Sequence, residues 1–164
     1  MDRSICIIGL SPHFSKHVAK KTADKLDMLF GDVTELLSYD LGNLEEAIKS
    51  SSMEYVSKLR SSKVKTLASY DKTMFTVDYS ALVENNNYEL IKNKVLVIYL
   101  KLKQALLEKE LQDDNATPSQ IKIANTLFEN RDELCEQYCD VVLEADSLNV
   151  LKISNKLAKL IKRS

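Results

Sequence analysis

Between Ser4 and Leu26 a compact apolar run (SICII) ends at Gly9, crosses a short polar loop and enters an amphipathic helix. An apolar run bounded in this way suits a central strand of a parallel sheet, buried on both faces. In the helix that follows, Val18, Ala19, Ala23, Leu26 and Met28 fall close to three and four spacing, with lysines on the other side.

The same alternation continues along the chain. Met28–Val33 (MLFGDV) reads as a second strand, followed by a helix from Glu35 to about Tyr39 and another from about Leu44 to Lys58. Lys72–Tyr79 (KTMFTVDY) is a third strand, and Val95–Leu100 (VLVIYL) is the clearest, rich in β-branched and aromatic residues. Leu102–Leu111 reads as helix, the polar stretch Gln112–Gln120 as loop, and Ile121 to about Gln137 as helix again. Asp140–Leu143 is a last short strand. Asn149–Arg163 closes with a helix whose Val150, Leu151, Ile153, Leu157, Leu160 and Ile161 form one face. Strands alternating with helices predict an α/β fold around a mostly parallel, five-stranded sheet. With 164 residues and no internal repeat or low-complexity linker, the chain (1–164) is expected to be a single domain.

Charge narrows the partners. Lysine and arginine together, 23, nearly cancel 24 aspartates and glutamates, which gives no electrostatic reason to expect nucleic acid or an acidic membrane. Only four of the basic residues are arginines (Arg3, Arg60, Arg131, Arg163), so a site that grips phosphate or carboxylate with two parallel bonds has few to draw on. Cys6, Cys135 and Cys139 cannot all pair within one chain, which favours a reducing, cytoplasmic setting. No apolar run approaches a membrane span. Cys135 and Cys139, four apart, read as two half-buried residues of one helix rather than a metal or redox pair.

The segment ICIIGL, then LFGDVTEL, VLVIYL and ENRDELCEQYCDVVLEADS (Glu129–Ser147) arrive in the order and spacing of the shikimate kinase family, which the chain resembles over nearly its whole length. The resemblance implies a three-layer P-loop kinase fold, with ATP and Mg²⁺ as cofactors if the protein is active. Its chemistry can be checked one position at a time. A P-loop needs glycines that let backbone N–H groups approach the phosphates, a lysine for the β and γ oxygens, and a hydroxyl for Mg²⁺. In that register Gly9 fits, but Phe14 replaces the second glycine, Ser15 the lysine and Lys16 the hydroxyl, and Pro12 removes a backbone donor. Sliding by one residue would make Lys16 the phosphate lysine. Asp32 matches the first aspartate of the family's pair, near the metal, whereas Thr34 replaces the second. Asp78, Tyr79 and Ser80 stand at the family's triple-glycine turn. Ser57 replaces a carboxylate-binding arginine, with Arg60 one turn further on, and Arg131 matches the second such arginine. The region between the fourth strand and Arg131 contains no arginine to stabilise a transferring phosphoryl group.

Simpler readings stand beside these. Gly9 serves a chain reversal as readily as a phosphate. His13 and His17, at i and i+4, have no third ligand nearby in sequence. Lys16, Lys20 and Lys21 read first as a solvated face and second as an anion site at a helix start. Seven tyrosines against three glycines predict filled pockets. The expectation is a degenerate shikimate-kinase-like protein that binds a protein partner or a small anionic ligand, with homo-oligomerisation open. The alternatives are an active kinase using Lys16, Asp32 and Arg131, with shikimate the favoured acceptor, and a sensor of phosphorylated metabolites that keeps Arg131 and the Lys16 region.

Overall fold

The computed structural model describes residues 3–43, 46, 49 and 52–164. Five strands, β1 (Ser4–Ile8), β2 (Leu29–Asp32), β3 (Thr73–Thr76), β4 (Val95–Leu102) and β5 (Val141–Ala145), form one parallel sheet in the order β2-β3-β1-β4-β5. Between and after them run α1 (Pro12–Lys25), α2 (Val33–Leu41), α3 (Met53–Ser69), α4 (Tyr79–Val83), a 3₁₀ turn (Glu84–Asn86), α5 (Asn87–Ile91), α6 (Gln104–Asp113), α7 (Pro118–Gln137) and α8 (Val150–Lys162).

β1 is paired on both edges and covered by helices on both faces, and all five of its residues are buried. Its Ile5 and Ile7 join Ile98 and Leu100 of β4 under Val18 and Ala19 of α1 and Ile153 and Leu157 of α8. On the other face Cys6 and Ile8, with Phe75, Val97 and Tyr99, pack against Leu37 of α2, Val64 and Leu67 of α3 and Cys135 of α7. Two helical layers thus sandwich the sheet, as the alternation of elements requires.

Three sequence expectations change. The helix expected over 44–58 begins partly outside the described residues; α3 instead starts at Met53, where Ser52 accepts a hydrogen bond from Tyr55 N, and continues to Ser69. Its buried Val56, Val64, Leu67 and Ala68 are spread among lysines and serines, which hides the periodicity. The third strand stops at Thr76 because Asp78 caps α4. In α8, Leu151 points to solvent, being almost opposite Ile153 on the helix. Among the described residues no helix is long and apolar enough to cross a membrane.

Candidate functional site

The carboxyl ends of parallel strands are where an α/β sheet offers a crevice, and here the crevice is shaped by how α1 begins. Only Gly9, Leu10 and Ser11 separate β1 from α1. Ser11 is the N-cap: its hydroxyl accepts from Phe14 N, its carbonyl accepts from Ser15 N at 3.0 Å, and Pro12 occupies the first turn, where a missing N–H does no harm. Residues that would form the second half of a phosphate loop are therefore already helical. Ser15 is buried and its Oγ lies against Gly9, so that a Cβ at Gly9 would collide with it. What remains is a cleft of about 50 Å³ between Gly9, Pro12, Ser15, Asp32, Thr34, Thr76 and Asp78.

The charged residues at this edge are engaged with one another. Lys16 pairs with Glu35 of α2, and that hydrogen bond holds the Lys16 ammonium above its usual range. Asp32 caps α2, with one oxygen accepting from Glu35 N at 2.9 Å and the other from the Thr76 hydroxyl. Asp78 caps α4 and accepts from both the N–H and the hydroxyl of Ser80, which closes the turn where glycines were expected. Lys20 and Lys21 are exposed on α1.

Ser57 and Arg60, adjacent on one face of α3, grip a single carboxylate. Arg60 Nε donates to Glu84 at 2.6 Å, its NH2 donates at 3.1 Å, and Ser57 Oγ donates at 2.9 Å. Arg131, on α7, is partly buried near Tyr79. Burial holds the Tyr79 hydroxyl above its usual range, and the Arg131 charge offsets part of that rise. Among the described residues no carboxylate stands within ion-pair distance of Arg131. The fold thus brings Gly9, Ser15 and Asp32 together in the cleft, with Lys16 beside Asp32, while Arg131 lies near Tyr79 and outside the cleft lining.

The imidazoles of His13 and His17 meet edge to face at 4.3 Å, and no group of three metal-ligating side chains converges among the described residues. Cys135 is fully buried in α7, and Cys139 lies beyond the helix end, so the two do not share a helix as expected.

Glu35, Thr76 and Glu84 were missed from the sequence. Glu35 had a signal, since an aspartate followed three residues later by a glutamate is a helix-start pattern. Glu84 had none, being 24 and 27 residues from its partners.

A family model described as shikimate kinase matches residues 16–162, opening just past the β1–α1 loop. The chain belongs to the shikimate kinase family. Its fold is similar to that of shikimate kinase from Bacteroides thetaiotaomicron, with a TM-score of 0.86 at 15% identity over 99% of both chains. Shikimate kinase from Acinetobacter baumannii, solved in complex with shikimate, gives a TM-score of 0.83 at 18% identity, covering 99% of this chain and 94% of that one. The Aquifex aeolicus shikimate kinase gives 0.77 at 14% identity, covering 97% and 96%. No curated protein matches the chain in sequence.

Proposed function

We propose that this member of the shikimate kinase family has lost phosphoryl transfer and serves as an interaction or small-ligand-binding module. The observation that carries this reading is the early start of α1. ATP bound in the family's manner needs a run of free backbone N–H groups around its phosphates and a lysine aimed at them. Here the loop is three residues long, Phe14 N and Ser15 N are bonded to Ser11, and Lys16 is paired with Glu35. A cleft of about 50 Å³ falls well below the few hundred Å³ that small-molecule sites occupy. The residues present do not fit an ATP·Mg²⁺ group in that pose.

Isothermal calorimetry with ATP and Mg²⁺, then with shikimate, at near-physiological salt tests the reading. Silence in both titrations is expected. Micromolar binding of ATP would overturn it and promote the active kinase, with shikimate as acceptor.

Arg131 supports a second reading, a sensor of small anions without turnover. A partly buried guanidinium without an acidic partner among the described residues is suited to a phosphate or carboxylate. On that reading Arg131→Ala abolishes the binding of inorganic phosphate without unfolding the chain; binding unchanged by the substitution would sink it.

A further inference from the structure

We propose that the amino end of the sheet, opposite the crevice, carries a second site, which takes a small carboxylate with an apolar body. Two adjoining cavities open there. The first, of about 310 Å³, lies between the last turns of α3 and the end of α5, where Ala68, Leu90 and Ile91 supply apolar surface and Lys65 and Lys94 supply charge. The second, of about 530 Å³, is lined by Arg3, Ser4, Tyr70 and Asp71, and the two share Ala68, Ser69 and Lys94. Arg3 stands just before β1, Asp71 before β3 and Lys94 before β4, which places both cavities at the starts of the strands, whereas the crevice lies at their ends.

The charges are what single this place out. Arg3 is anchored, its NH2 donating to the carbonyls of Lys92 at 3.1 Å and Val95 at 3.2 Å, while its buried Nε has no partner. Neutral carbonyls fix a guanidinium in place without cancelling its charge, and a buried donor left unbonded carries a desolvation cost that an incoming acceptor can recover. Arg3, Lys65 and Lys94 make no ion pair with any carboxylate among the described residues, although Lys63, two residues from Lys65 on the same helix, is paired with Asp40 at 2.5 Å. Asp71 is the one carboxylate lining either cavity, against those three cations. Charge complementarity therefore selects an anion, and the neighbouring apolar wall selects one whose body carries no hydroxyls. A ring rich in hydroxyls, such as that of shikimate, suits the first cavity poorly. Because the site and the crevice lie at opposite ends of the strands, the presence or absence of ligand at one leaves the reading of the other intact.

The test is a backbone-amide NMR titration of the full chain with hydrocinnamate, using the neutral hydrocinnamamide as the control for ring contacts alone. Shifts should concentrate at Arg3, Ser4, Ser69–Asp71 and Leu90–Val95, and the amide should bind about tenfold more weakly, as expected when charge-assisted bonds are lost. Arg3→Gln should bring the affinity for hydrocinnamate down to that for the amide. So should Lys65→Gln combined with Lys94→Gln, a pair of exposed positions that tests the site even if Arg3→Gln unfolds the chain. Lys109→Gln, exposed on α6, removes a similar charge elsewhere and should change nothing. The proposal is overturned if hydrocinnamate causes no shifts or shifts only the residues of the crevice, if the amide binds equally well, or if the folded double lysine variant keeps the parent affinity.

Discussion

A methyl group added at Gly9 would overlap Ser15 Oγ and come to 3.1 Å from the Leu100 carbonyl oxygen. Overpacking of this kind costs roughly 1–3 kcal/mol, so Gly9→Ala should lower the urea midpoint. Ser15→Ala in the same chain should recover only part of the loss, because the hydroxyl is removed while the Leu100 carbonyl stays. Full stability of Gly9→Ala would mean that Ser15 does not fill the loop. The thiols offer a second check. Burial pushes Cys6 far up, Cys135 to about 12 and Cys139 to about 11, and only Cys139 is partly accessible. Alkylation at neutral pH, followed by mass spectrometry, should label Cys139 first and reach Cys6 and Cys135 only on unfolding.

At the scale of elements, two caps decide where the crevice walls begin. Ser11→Ala should cost about 1 kcal/mol, the usual worth of an N-cap. Asp32→Ala should cost about twice that, because it also frees the Thr76 hydroxyl; urea unfolding of the two variants side by side gives the order. Restoring Phe14→Gly, Ser15→Lys and Lys16→Thr together should not by itself create ATP affinity, since Ser11 and Pro12 still start α1 in the same place. Calorimetry of the triple variant before and after Ser11→Gly and Pro12→Gly tests this, and ATP binding by the triple variant alone would refute it. These elements also mark what could be read in advance. Apolar runs such as SICII and VLVIYL announce doubly buried strands, and the stripe of α8 announces its packing face, because burial is written in side-chain polarity. The lysine-rich α3 and the short α4 and α5 were obscured, since their positions depend on tertiary contacts. The replaced residues of the phosphate loop were plain from the sequence. That the helix begins early enough to close the loop depends on a hydroxyl bonding three residues ahead, which only coordinates reveal.

For the whole molecule, the resolved shifts of thiols and phenols all point upward. An unfolded chain releases thiol protons near pH 9 and phenol protons near pH 10, whereas the folded chain holds them at Cys139 to about 11 and at Cys135 and Tyr88 to about 12. Because the native state retains protons that the unfolded state has lost, stability is fully present below about pH 9 and falls as pH rises toward 12. Urea melts at stepped alkaline pH should show this decline, and Tyr88→Phe should flatten it above about pH 10. The self-pairing at the sheet's carboxyl edge reaches further than the contacts themselves. Lys16 and Arg60 there are already paired, with Glu35 and Glu84, and Asp32 and Asp78 stand close to them, so that neither offers its full charge to solvent. Those two cations should then add little long-range pull on an approaching polyanion, and removing either with its partner carboxylate should leave the salt dependence of encounter nearly unchanged.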